Sequence, residues 1–130
     1  MMSNQDIETF AREVLGCNCP DEVFQKIDCQ DKISLEKDSP LSYHINIGNR
    51  LLIYVAPYPK PEILEETVLN LLTQGKQERD TLNFNRFRLV LVTDQSDTLD
   101  PLAQEILATS NPDDKLHLHV IDTGAFPGAC

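Results

Sequence analysis

The sequence predicts one α/β domain over residues 1–130, with a mostly parallel βαβαβ sheet, an added β-hairpin and an N-terminal helical segment. Apolar runs at 51–56, 87–92 and 116–121 alternate with helical patterns, which is typical of parallel strands joined by crossover helices. The first two runs are apolar throughout, as expected for strands buried on both faces. Gly48 and Asn49 separate SYHINI from RLLIYVA, which predicts a hairpin with a two-residue turn.

The N-terminal segment is predicted to be helical because apolar residues recur at i, i+3, i+4, i+7 and i+8. These residues are Ile7, Phe10, Ala11, Val14 and Leu15. Ser3 and Asp6 fit a capping box at the start of the helix, and Gly16 fits its end. Pro20 is predicted to open a second, short helix that runs to about Ile27, with acidic residues in its first turn.

The central and C-terminal parts contain two longer predicted helices. Residues 30–41 are polar, with KISLE (32–36) as a candidate edge strand. One helix is predicted from Pro61 to about Gln74, ended by Gly75, and the other from Pro101 to Thr109, capped by Asp100.

Charge and hydropathy limit the classes of partner. The formal net charge of −10 disfavours binding to nucleic acid or to anionic membrane surfaces, whereas a protein partner is compatible with it. The longest apolar run, LLIYVA, is far shorter than the ~18 residues of a membrane helix. The N-terminus lacks a basic region followed by an apolar one, so we expect a cytoplasmic protein. The oligomeric state stays open.

The most unusual feature is a cluster of cysteines near the N-terminus. Cys17 and Cys19 flank one asparagine at the predicted corner between the first two helices, and Cys29 follows at the predicted end of the second. A helix N-terminus lowers the pKa of a thiol, so Cys19 is predicted to be the most reactive thiol. Clustered cysteines in a reducing compartment more often signify metal or redox chemistry than structural disulfides.

The last residue, Cys130, completes a set of four. The chain leaves its last predicted strand in the segment DTGAFPGAC, whose nine residues could extend up to ~30 Å. We expect this tail to fold back from the carboxyl edge of the sheet and bring Cys130 to Cys17 and Cys19, with Cys29 as a fourth thiolate. Four thiolates match tetrahedral zinc or an iron–sulfur cluster.

Three classes of function follow from these cysteines. The first is a metal or iron–sulfur protein with a redox or metal-handling role. The second is a thiol redox protein that uses Cys17 and Cys19, although the C-x-x-C motif of thioredoxin is absent. The third is a non-enzymatic interaction domain whose cysteines are structural. Whether the protein is an enzyme stays open, since the sequence contains no complete catalytic motif.

The segment LGCNCPDEVF (15–24) resembles a small, uncharacterised prokaryotic family that carries Leu-Gly-Cys-x-Cys-Pro-x-Glu-Val-Phe near its N-terminus. The residues that carry the resemblance are Leu15, Gly16, Cys17, Cys19, Pro20, Glu22, Val23 and Phe24. No activity is attached to that family, so the resemblance implies only that the cysteines matter.

Other polar groups are weaker candidates. His117 and His119 share one face of a strand, and His44 could join them around a metal. Four aspartates follow the last two strands and could bind Mg²⁺; they are Asp94, Asp97, Asp100 and Asp122. A basic patch before the second parallel strand could dock an acidic partner; it contains Lys76, Arg79, Arg86 and Arg88. The glycine-rich loops that bind phosphates are absent.

Overall fold

Five β-strands form one sheet, and their order in the sheet is their order in the chain. The computed structural model describes residues 3–17, 20–31 and 43–126. The strands are β1 (Ile27–Asp31), β2 (Tyr43–Ile47), β3 (Leu51–Pro57), β4 (Arg86–Thr93) and β5 (Leu116–Asp122). Strands β1 to β3 are antiparallel neighbours, and β3 to β5 are parallel neighbours. The predicted α/β class and the three parallel strands are confirmed, and the candidate strand at 32–36 lies outside the described residues.

The hairpin between β2 and β3 forms where the sequence predicts it. Gly48 and Asn49 have φ angles of +60° and +57°, and positive φ angles are what the favoured turns of β-hairpins require. Ile47 pairs with Leu51, so the connection also contains Arg50 and is one residue longer than predicted. As a result, the Arg50 side chain stands in the loop that precedes β3.

The N-terminal segment forms two short helices of different type. Helix α1 (Asn4–Thr9) has the predicted capping box between Ser3 and Asp6, and it continues directly into a π-helix (Phe10–Val14). Gly16, with a φ of +73°, ends the helical path as predicted.

The segment after this corner differs from the prediction of a helix up to Ile27. It forms a 3₁₀ helix (Asp21–Gln25), after which β1 begins at Ile27. The backbone N–H of Gly48 donates to the carbonyl of Lys26, so the hairpin fixes the chain where β1 begins. Cys29 therefore lies in the edge strand and not at the end of a helix.

Helix α2 (Leu64–Thr81) is longer than predicted, because Gly75 lies inside it. A Cβ at Gly75 would overlap the ring of Phe87 in β4, so the glycine provides room for packing and does not end the helix. The helix ends at Thr81, and the chain turns away at Asn83, whose φ is +62° and whose successor Phe84 donates to the carbonyl of Arg79.

Helix α3 (Ser96–Thr109) begins earlier than predicted, so Asp100 and Pro101 lie inside it and not at its start. Its first hydrogen bonds run from the backbone N–H groups of Thr98 and Leu99 to the carbonyl of Gln95. None of the described helices is long and apolar enough to cross a membrane.

The two faces of the sheet carry different layers. Helices α2 and α3 pack on one face, over a cluster that includes Tyr54, Phe87 and Leu89. The N-terminal helices cover the other face, over a cluster that includes Phe10, Ile53 and Val90. Because side chains alternate along β4, the even-numbered Arg86 and Arg88 share the second face with Val90. The N-terminal layer therefore lies over two arginines as well as over apolar residues.

Candidate functional site

Cys17 lies in the corner that follows Gly16, and it is almost completely buried. Its backbone N–H donates to the carbonyl of Ala11 over 2.9 Å, a bond that the left-handed conformation of Gly16 makes possible. Cys17 is disulfide-bonded, as is Cys29. The Cys29 side chain is half-buried in β1 and packs against the cluster under the N-terminal helices. Both cysteines therefore belong to the layer on the N-terminal face.

The other two cysteines of the predicted set, Cys19 and Cys130, lie outside the described residues. The high reactivity expected of Cys19 therefore stays a prediction. Within residues 3–17, 20–31 and 43–126, no group of three or more metal-binding side chains is assembled. A disulfide sulfur is not a thiolate, so zinc or iron–sulfur ligation by Cys17 and Cys29 would need the reduced form. The four-cysteine metal site stays a prediction.

The C-terminal segment folds back over the N-terminal layer as far as it is described. The ring of Phe126 lies 5.3 Å from that of Phe10 and 5.1 Å from that of Tyr43, measured between centroids. Tyr43 pairs with Asp31 across β1 and β2, two positions from Cys29. The segment that leads to Cys130 therefore passes near the strand that contains Cys29.

A cavity of about 210 Å³ lies beside Cys17. The corner contributes Cys17 and Pro20 to its wall, and three arginines line it from the sheet side: Arg50, Arg86 and Arg88. Arg50 precedes β3 and Arg86 begins β4, so the cavity lies at the amino edge of the parallel strands. Ligands of open α/β sheets usually bind at the carboxyl edge, at a point where the strand order reverses. The five described strands show no such reversal.

Arg88 is the buried member of this arginine group, with 9% of its surface exposed. Its Nη1 donates to the carbonyl of Leu15 over 2.9 Å and lies 2.8 Å from Nε2 of His119. Burial, followed by repulsion from Arg86, lowers the pKa of Arg88. Among the described residues its Nε has no hydrogen-bond partner. Arg88 is thus held in place by neutral groups.

The two histidines of β5 flank this arginine. Burial, followed by repulsion from Arg88, lowers the pKa of His119 to about 4, so its ring is neutral at pH 7 and its Nε2 can accept from Arg88. Burial and Arg88 also lower the pKa of His117, whose Nε2 has no partner among the described residues. The prediction that both histidines share one face of β5 is confirmed, but the group beside them is the positively charged guanidinium of Arg88.

His44 lies on the opposite face of the sheet and cannot join them. Its Nε2 lies 2.7 Å from a carboxylate oxygen of Glu78 in α2, and the hydroxyl of Tyr54 donates to the other oxygen. Burial, followed by the hydrogen bond to Glu78, raises the pKa of Tyr54. The network crosslinks β2, β3 and α2. No motif in the sequence indicated it, because its members lie 24 and 34 positions apart.

Three of the four aspartates proposed for Mg²⁺ are engaged with the protein itself, whereas Asp97 is exposed in the first turn of α3. Asp122 accepts from the hydroxyl of Ser96, Asp94 from that of Thr123, and Asp100 from the amide of Gln104. The proposed basic patch is divided as well. Arg79, in α2, donates two hydrogen bonds to the carboxylate of Asp113. It lies on the other face of the sheet from Arg86 and Arg88.

Comparisons with known proteins add no further assignment. The chain matches no protein-family model, no curated protein and no solved structure. The candidate site is therefore defined by its own geometry: a disulfide-bonded cysteine at the wall of a small cavity that three arginines also line.

Proposed function

We propose that the protein is a cytoplasmic thiol redox protein whose reactive group is the disulfide that contains Cys17. The observation that carries this proposal is the position of Cys17, which is disulfide-bonded and lines a cavity beside three arginines. Disulfides in a reducing compartment are usually transient and catalytic. A chain of this size, with apolar cores on both faces of its sheet, does not need a disulfide in order to fold.

The reaction is thiol–disulfide exchange. A donor thiolate attacks one sulfur of the disulfide, so that a new S–S bond forms, the old one breaks, and the other cysteine leaves as a thiolate. A second donor thiolate then attacks this mixed disulfide and releases the oxidised donor. Two electrons pass from two donor thiols to the protein, which ends with two cysteine thiols.

The arginines support this chemistry through charge. A positive charge close to a cysteine lowers the pKa of its thiol, and a thiol of lower pKa is a better leaving group. Arg50, Arg86 and Arg88 all line the cavity that Cys17 lines, so all three favour a thiolate at Cys17. Arg88 is least screened by solvent because it is buried.

The reduction potential tests this function. Oxidised protein is equilibrated with buffers of reduced and oxidised glutathione, quenched with iodoacetamide, and the alkylation of each cysteine is counted by mass spectrometry. We expect a midpoint for Cys17 in the range of thiol oxidoreductases, about −120 to −270 mV. A midpoint below about −300 mV would indicate a structural disulfide and would favour the interaction-domain class.

The metal-binding function remains a second proposal, for the reduced protein. It is supported by ligand count, because Cys17, Cys19, Cys29 and Cys130 would supply the four thiolates of a zinc or iron–sulfur site. Protein reduced without oxygen would be titrated with Zn²⁺ against a chromophoric chelator, in parallel with Cys130→Ser. One equivalent of tightly bound metal that depends on Cys130 would favour this function, and the absence of binding would contradict it.

A further inference from the structure

The cavity beside Cys17 concentrates positive charge in a protein whose formal net charge is −10. Among the described residues, none that lines the cavity is acidic. The ion pairs of arginine in the described part of the chain involve Arg12 and Arg79, whereas Arg50, Arg86 and Arg88 form none there. The described part of the chain therefore supplies no carboxylate that neutralises the positive charge of the cavity.

Arg88 makes this arrangement costly for the fold. Removing a charged group from water is strongly unfavourable unless a counter-ion and hydrogen bonds compensate for it. Arg88 exposes only 9% of its surface, and its Nε finds no acceptor among the described residues. Its hydrogen-bond partners are the neutral carbonyl of Leu15 and the neutral ring of His119. They fix the guanidinium without cancelling its charge, which leaves the group ready for an anion.

We propose that this cavity binds the carboxylate of a small acidic thiol and so places the sulfur of that thiol against the disulfide of Cys17. Guanidinium groups bind carboxylates through paired N–H donors, which makes arginine better suited to this task than lysine. A cavity of about 210 Å³ has room for a small molecule and not for a folded domain. The identity of the ligand as a thiol rests on the proposed function, whereas anion binding does not.

The first experiment compares three thiols of similar size and different charge. Oxidised protein is reduced with 3-mercaptopropionate, 2-mercaptoethanol or cysteamine, and the rates are expressed per thiolate. We expect the anionic thiol to react about tenfold faster than the neutral one, since a charged cleft concentrates ligands of opposite sign. The cationic thiol should be the slowest, and added salt should reduce the differences. Equal rates per thiolate would overturn the proposal.

Substitutions test whether the cavity arginines cause the preference for the anionic thiol. Arg86→Gln and Arg50→Gln, at positions less buried than Arg88, should each remove most of the advantage of 3-mercaptopropionate. Lys60→Gln changes the charge equally but lies on an exposed loop that does not line the cavity, so it should leave the advantage intact. A loss of the same size in Lys60→Gln would mean that net charge and not the cavity selects the thiol, and would overturn the proposal.

A second measurement separates this inference from the proposed function. Succinate and inorganic phosphate, which contain no thiol, are titrated into the oxidised protein by calorimetry. Binding of succinate that is lost in Arg86→Gln supports the carboxylate site even if no thiol reduces the disulfide, a result that would overturn only the redox function. Binding of phosphate in preference to succinate would overturn the choice of a carboxylate. If neither anion binds, the anion site is wrong, whatever the reduction potential.

Discussion

Arg88 and His119 occupy adjacent strands, and the charge of the arginine helps to keep the histidine neutral. The arginine stays charged because its pKa, although lowered, starts far above neutral. The histidine stays neutral because burial and the arginine both disfavour its protonated form. The sequence showed that His117 and His119 share a face, but it did not show that a cation from β4 would face them.

This pair predicts a pH dependence of stability. The pKa of His119 is about 4 in the folded protein and near 6.5 in the unfolded chain. Between these values the unfolded chain binds a proton that the folded protein does not. The stability present above pH 6.5 is therefore lost as the pH falls to about 4, and the full loss is about 3 kcal/mol.

Urea unfolding at pH 7.5 and pH 4.5 measures this dependence in the wild type and in His119→Gln, whose amide oxygen can still accept from Arg88. The difference between the two pH values should be smaller in the variant, since glutamine does not titrate. An identical difference in both proteins would show that His119 does not carry the effect.

Gly75 predicts a second effect of a single residue. In Gly75→Ala the new methyl group would meet the ring of Phe87, so either the ring or helix α2 must shift. We expect a loss of about 1–3 kcal/mol in the free energy of unfolding, typical of overpacking, although alanine favours helices. Gly124→Ala is the matched control, since nothing lies within 4 Å of the added atom. A Gly75→Ala variant as stable as the wild type would contradict the packing that we describe.

At the scale of elements, α2 is joined to the loop before β5 by one charged contact. Arg79 donates from Nη1 and Nη2 to the two oxygens of Asp113, over 2.9 and 2.6 Å. The Arg79 side chain is buried, whereas that of Asp113 is partly exposed. The hydrogen bonds from Arg79 hold the pKa of Asp113 down at about 2.

Asp113→Asn should therefore destabilise the protein, because it weakens two charge-assisted hydrogen bonds of a buried guanidinium. We expect a loss of about 1–3 kcal/mol, measured by urea unfolding at pH 7. Asp114→Asn, at the exposed neighbouring position, is the control and should be close to neutral. Equal stability of the two variants would show that the Arg79–Asp113 pair contributes little.

Some elements were more predictable than others, because some depend on neighbouring residues in the sequence and others on residues far apart in it. The strands β3, β4 and β5 and the hairpin follow from local apolar runs and from the Gly48–Asn49 turn. The end of α2 did not follow, because a glycine can supply either a positive φ or space for a neighbour. Gly75 supplies space for Phe87, which is 12 positions away, and Asn83 supplies the positive φ.

The candidate site was predictable only in part, for a similar reason. The corner at Gly16 and Cys17 is a local feature and follows from the sequence. The cavity depends on Arg50 and Arg88, which belong to different elements, and Arg88 contacts Leu15 across 73 positions. No local pattern records such a contact, so the basic residues looked like one exposed patch.

At the scale of the whole molecule, the sheet has one face covered by α2 and α3 and another covered by the short N-terminal helices. The two described cysteines that form disulfides, Cys17 and Cys29, both belong to the second layer. Reduction should therefore loosen the N-terminal layer more than the rest. We expect faster amide hydrogen exchange in residues 3–17 and 27–31 after reduction, with little change in α2 and α3. Uniform acceleration across the chain would contradict a local role for the disulfides.

The sequential order of the strands also determines when the cavity can form. Each strand pairs with the one that precedes it in the chain, so the sheet can grow through contacts of short range, which favours rapid folding. The cavity is an exception, because its walls lie far apart in the chain: the corner at Cys17 precedes all five strands, and Arg88 in β4 emerges some seventy residues later. During translation Cys17 therefore leaves the ribosome before the arginines that would surround it. The environment that we assign to its disulfide is therefore completed only after β4 has joined the sheet.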